Sequence, residues 1–126
     1  MAKKLFPDGT EVVPFYVRAI RSGSLVFVSG TTSLDAKGRV QGKDAAQQTA
    51  VTMRKIESAL KSAGAKLKDL TRLTIFVTDI RDMGAISKAL DKALKGSVVS
   101  ATMVGVSQLA VPGLLVEIES TAVVEG

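Results

Sequence analysis

Residues 70–94 read LTRLTIFVTDIRDMGAISKALDKAL, and this stretch decides the fold. Leu73, Ile75 and Val77 alternate with Thr74, Phe76 and Thr78, the period-two pattern of a strand. Asp82 then opens a helix that runs to about Leu94. Met83, Ile86, Leu90 and Ala93 lie three and four apart on one stripe, and Gly96 ends it. A strand feeding a helix over so short a span sets the order strands, helix, strand, helix, strands for the whole chain.

Upstream, residues 44–63 predict a longer helix. Asp44 is its N-cap, Ala46, Ala50, Met53, Ile56, Leu60 and Ala63 form its stripe, and Gly64 is its C-cap candidate. Before it, residues 24–32 (SLVFVSGTT) predict a strand with Gly30 near its end, the mark of a bulge or a close backbone approach. Residues 15–21 (FYVRAIR) predict another strand, with Tyr16, Arg18 and Ile20 on one face. Residues 7–14 begin as a turn and lead into extended chain. The turn at Asp35–Gly38 returns through Arg39-Val40. Downstream, residues 100–108 and 114–124 predict two final strands joined around Pro112-Gly113. The expected fold is α+β: a mixed sheet of five or six strands with two helices on one face, in one domain over residues 1–126. Two helices cover only one face. Residues 24–28, 73–77 and 114–118 are apolar on both, so the second face is expected to be buried in a homo-oligomer.

Composition narrows the chemistry. Neither Cys nor His occurs among the 126 residues. A thiol nucleophile, a Ser-His triad, an imidazole base and a Cys/His zinc site are thereby excluded. Acid–base work falls to Asp, Glu, Lys, Tyr, a terminal amine or water. No metal site is expected. The net charge is +5, which attracts anionic metabolites or nucleic acid. The basic residues are dispersed along the chain, however, and no basic run is interleaved with aromatics, so nucleic acid is not the expected partner. Only Leu5 and Phe6 separate Lys3-Lys4 from Pro7, too few for a secretory signal. No apolar run reaches membrane-spanning length, and the expected location is the cytoplasm.

The segments SLVFVSGTTSLDAKGRV, SAGAKLKDL, TRLTIFVTDIRDM, SATMVGVSQL and LLVEIESTA, in this order and spacing, resemble the Rid (reactive intermediate deaminase, YjgF-type) family across residues 15–124. The resemblance implies a chorismate-mutase-like fold and a homotrimer whose inter-subunit clefts bind small molecules. It also implies cofactor-free hydrolysis of enamines and imines to 2-keto acids and ammonia. Carried over by position, Tyr16 matches the cleft tyrosine, Ser29-Gly30 the strand-end pair and Glu117 the cleft glutamate. The implied catalytic set is therefore Glu117, Tyr16 and Ser29, with Gly30, Arg18, Ser87, Ala101 and Met103 at the substrate. Ser87 falls where many members carry Asn, and Met103 where many carry Cys. Ala101 occupies the position of the family's substrate-carboxylate arginine. This departure implies weak action on 2-imino acids.

Plainer readings stand beside these. Glu117 and Glu119 share parity, as they would on a solvated strand face. Tyr16 also fits an ordinary strand tyrosine, Ser29 a residue that tolerates the bulge, Ser87 a helix-surface residue, and Met103 core filling. Arg18 is either a snorkelling surface arginine or a substitute cation for an anionic ligand. Besides a hydrolase, the sequence fits a non-catalytic metabolite-binding trimer. A third reading, a ribonuclease or translation inhibitor, is weakened by the absence of His.

Overall fold

A computed structural model describes residues 2–125. The chain forms β1 (Lys4–Phe6), β2 (Ala19–Ser22), β3 (Leu25–Thr31), α1 (Ala45–Ser62), β4 (Leu70–Val77), α2 (Met83–Leu94), β5 (Ser100–Gly105) and β6 (Val116–Val123). The six strands make one sheet in the order β1-β2-β3-β6-β4-β5. β4 and β5 are parallel, and the other neighbours are antiparallel. The last strand thus fills the centre between β3 and β4. The crossovers through α1 and α2 leave both helices antiparallel to the strands they join and parallel to each other.

Strand alternation decides which side is the core. Val26, Val28, Leu73, Ile75, Val77, Val116, Ile118 and Ala122 are buried beneath Met53, Ile56 and Leu60 of α1 and Ile86, Leu90 and Leu94 of α2. Asp44 caps α1, its carboxylate accepting the Gln47 amide at 2.8 Å. Gly64 follows that helix at φ +79°, where a side chain would be strained. Gln48 is fully buried yet satisfied. Its amide nitrogen donates to the Gly113 carbonyl at 2.9 Å, and its amide oxygen accepts the Leu115 N–H at 2.8 Å, clamping the approach to β6 onto α1.

The other face behaves as its composition predicts. Leu5, Ile20, Phe27 and Thr121 lie side by side across β1, β2, β3 and β6, and Glu117, Phe76 and Val104 across β6, β4 and β5. Leu5, Leu25, Phe27, Val104 and Val123 are all exposed. No helix covers them.

Several expectations need correction. The strand placed at residues 15–21 begins only at Ala19. Pro14 brings no N–H, and the Arg18 amide donates to the Glu11 carboxylate at 2.8 Å rather than to a neighbouring strand. Tyr16 and Arg18 therefore do not share a strand face. β1 was not foreseen; three residues carry too little periodicity to read. β5 stops at Gly105 and β6 starts at Val116, both shorter than expected. Asp82 makes no side-chain cap, because it is itself helical and ends a short 3-10 turn over Ile80–Asp82. Asp79 caps that turn instead. Met83, expected in the buried stripe, is exposed, and Leu94, not expected there, is buried with Ile86 and Leu90.

Candidate active site

The bulge in β3 organises the first group of candidate residues. Val28 pairs with Ser120 but Thr31 with Ile118, so β3 carries one extra residue at Ser29-Gly30. Gly30 lies in this bulge, and the Glu117 carboxylate packs against it. A β-carbon at position 30 would collide with Glu117 Oε2. Gly30 has ordinary negative φ, so what it supplies is space rather than conformational freedom. Ser29 anchors the bulge from the other side. Its Oγ donates to the Val17 carbonyl at 2.7 Å, and its amide donates to the Arg18 carbonyl at 2.9 Å.

Arg18 fills the space behind the bulge. It is 4% exposed. Its Nη1 donates to the Gly30 carbonyl at 2.8 Å and to Thr31 Oγ1 at 3.1 Å. Its Nε donates to Asp8 Oδ2 at 3.1 Å, and its Nη2 to Thr10 Oγ1 at 2.9 Å. The Tyr16 ring lies 5.9 Å from the guanidinium carbon. With its fork engaged on four acceptors, Arg18 is placed as a brace for the bulge. Its carboxylate partner is Asp8, not Glu117 or Glu119. Burial alone would raise the Asp8 carboxyl, but hydrogen bonds from Thr10 and the Arg18 guanidinium outweigh it and hold Asp8 below its usual value. Glu117 goes the other way. Burial pushes its carboxyl above the usual value, Arg18 opposes this and Glu119 adds to it.

Asp8, Thr10, Glu11 and Thr31 escaped the sequence reading. The signal was Pro7-Asp8-Gly9-Thr10, a turn whose Asp side chain accepts the Thr10 amide at 3.0 Å. That turn presents acceptors toward whatever cation packs on it.

The second group lies elsewhere. Ala101 and Met103 sit beside Leu73 and Ile75 in the parallel β4–β5 register, on the helix side of the sheet. Together with Ser87, Leu90 and Asp91 of α2 they line a cavity of about 370 Å³. No Lys or Arg lines it, and Asp91 is its one charged side chain. Glu117 pairs with Phe76 on the opposite face. The sheet itself separates Ala101, Met103 and Ser87 from Glu117, Gly30, Ser29 and Tyr16 within one chain.

The family described as Endoribonuclease L-PSP matches residues 10–124. The chain belongs to this family, the YjgF/Rid family. A crystal structure of a YjgF/YER057c/UK114 family member from Mycobacterium tuberculosis superposes on this Rid protein with a TM-score of 0.87, at 39% identity over 98% of this chain and 100% of that one. A protein named 3-aminoacrylate deaminase from Acinetobacter baylyi is 38% identical over 87 residues, 67% of this chain and 68% of its own length. A protein named 2-iminobutanoate/2-iminopropanoate deaminase from Dermatophagoides farinae is 29% identical over 114 residues, 87% of this chain and 86% of its own. Among the described residues no group of acidic side chains could hold a metal ion, and no helix is long and apolar enough to cross a membrane.

Proposed function

We propose that this Rid protein hydrolyses small enamines or imines in clefts between copies of a homotrimer. The observation that carries the reading is Glu117. Its carboxyl is half-buried, seated on Gly30, and raised in proton affinity by burial. A carboxylate so tuned accepts a proton from water more readily than an exposed one. In the reaction, water adds to the carbon of the protonated imine and gives one proton to Glu117. Glu117 returns that proton to the carbinolamine nitrogen, the C–N bond breaks, and the remaining hydroxyl proton passes to the departing ammonia, leaving a carbonyl and ammonium. Tyr16 borders the site, and Ser29 and Arg18 hold the bulge that seats Glu117. Deaminase names on two relatives support the chemistry. In the same reading the cavity beside Ala101 of a neighbouring copy forms the other wall of the cleft, and the location is cytoplasmic.

Assembly follows from the open sheet face. With Leu25, Phe27, Val104 and Val123 exposed, association through that face brings one copy's Glu117 toward another copy's β5 edge. Light scattering is expected to give about three times the 13.2 kDa chain mass. A monodisperse monomer would remove the shared cleft.

Substrate charge is the sharper test. An amino-acid oxidase supplies 2-iminopropanoate, whose decay is followed with and without the protein. Wild type is expected to accelerate it weakly, because Ala101 offers no cation. Ala101→Arg places one in the cavity. A charge-assisted hydrogen bond to the substrate carboxylate is worth roughly 1.5–3 kcal/mol, so the variant should be about ten- to a hundred-fold faster. Equal rates for both proteins would show that position 101 does not meet the substrate. Cleavage of RNA, with no effect on imines, would favour the ribonuclease reading that the family description carries.

A further inference from the structure

The net charge of +5 has no role in the site above, and its origin lies on the opposite side of the molecule. α1 and α2 run parallel, and between them, on the side away from the sheet, lies a trough of about 690 Å³. Its floor is alanine: Ala46 and Ala50 from α1, and Ala85, Ala89 and Ala93 from α2. Ala46, Ala50 and Ala93, expected in the buried stripes, are only partly buried, and with Ala85 and Ala89 they leave a shallow apolar bed. Arg54, Lys88, Lys92 and Lys95 stand along its rim. At the C-terminal ends of both helices the trough continues into a second hollow of about 670 Å³, to which Lys61, Lys66 and Lys68 are added. Seven of the seventeen Lys and Arg residues thus surround one groove, against a single acid, Glu57. Among the described residues none of the seven is in an ion pair. Residues dispersed along the sequence are gathered by the fold.

We infer that this groove is a docking surface for an acidic amphipathic helix of a partner protein. Three features select that occupant. The trough is open along one side, so a single acyl chain or metabolite lying in it would stay half wet, whereas small-ligand sites bury most of their ligand. An amphipathic helix needs cover on one face only. The alanine floor lets a third helix approach closely, and α2, with twelve residues, offers about 18 Å of groove, or some three turns. The rim supplies charge complementary to Glu and Asp flanking an apolar stripe. Nucleic acid would gain nothing from an apolar bed without aromatics, and a concave trough does not lie flat on a bilayer. Association through the open sheet face leaves the groove free. The inference does not rest on the hydrolase reading.

The probe is a helix-stapled, fluorescein-labelled peptide with Leu at i, i+3, i+4 and i+7 and Glu at the remaining positions. A scrambled peptide of the same composition, a single-stranded RNA and phosphatidylglycerol vesicles serve as competitors. The full-length protein is expected to bind the amphipathic peptide saturably at about 100 μM or below, in the range of weak helix-in-groove contacts, and less tightly as salt is raised. Lys88→Glu with Lys92→Glu should weaken binding at least about ten-fold. Ala89→Trp, which fills the bed without touching the rim, should do the same. Circular dichroism checks that both variants stay folded, and the two exposed lysines provide the test if Ala89→Trp does not. Absence of saturable binding, equal binding of the scrambled peptide, indifference to the lysine reversals, or preference for RNA or vesicles overturns the inference.

Discussion

Arg18→Met is expected to destabilise the protein by about 3 kcal/mol, the loss associated with breaking a buried, hydrogen-bonded charge pair. Methionine keeps the apolar stem and removes every donor. The Gly30 carbonyl, Thr31 Oγ1, Thr10 Oγ1 and the Asp8 carboxylate then all lose their partner at once. For a chain of this size such a loss lowers the melting temperature by about 10 °C, measured at fixed chain concentration because assembly shifts the midpoint. Asp8→Asn added to Arg18→Met should recover part of the loss, since the stranded charge is gone. The pH dependence carries a definite sign. Asp8 is depressed in the folded protein, so its contribution is present above its unfolded value near 3.8 and is lost as pH falls through the lower folded value. The stability gap between wild type and Arg18→Met should therefore narrow, by the share that Asp8 contributes, as the solution is acidified below about that value. An unchanged melting curve would mean that Arg18 is not a brace, and affinity for small carboxylates would then be the property to measure.

Glu117→Gln should lower imine hydrolysis by about 10²- to 10⁴-fold, the range for loss of a general acid–base group. Gly30→Ala reaches the same endpoint differently. Its β-carbon meets the far end of a flexible side chain, not backbone, so the fold should persist while the carboxyl is pushed off its seat. Stability separates a catalytic from a structural role. The Glu117 carboxyl is raised in the folded protein, chiefly by burial, so any stability linked to it is present below the unfolded value near 4.5 and lost as pH rises through the folded one. At neutral pH the buried charge is a cost, and Glu117→Gln should melt no lower than wild type while losing activity. Wild-type activity should in turn fall on the acid side as Glu117 protonates, at a pH above that of an exposed glutamate. A variant that both melts early and loses activity would make Glu117 a structural residue instead.

Legibility followed the range of the interaction. The bulge was announced by Gly30 in an otherwise apolar, β-branched strand, and Glu117 by the family resemblance, since alternation alone does not set it apart from Glu119. The brace at Arg18 was not readable, because its partners lie 8 to 13 residues away across a turn and a strand. Extended periodicity over residues 15–21 suggested a strand face that the Glu11 carboxylate in fact interrupts. Nor did any local pattern show that Gln48 is buried, since two of its three side-chain partners are 65 and 67 residues further along the chain.

By itself the sequence determined the two helices, with Asp44 and Gly64 bounding the first, the identity of β3, β4 and β6, the uncovered apolar sheet face, the absence of thiol and imidazole chemistry, and the family. Each of these is written in residue types or in periods of two and three to four, which encode only which side of an element meets apolar neighbours. The tertiary structure decided the rest. It put Ala101 and Met103 on one face of the sheet and Glu117 on the other, turned Arg18 inward onto Asp8 and Gly30, and collected scattered lysines around the α1–α2 groove. Those outcomes depend on strand order, on parallel helix direction and on a one-residue bulge. Such features bring together side chains far apart in sequence, and no local period records them.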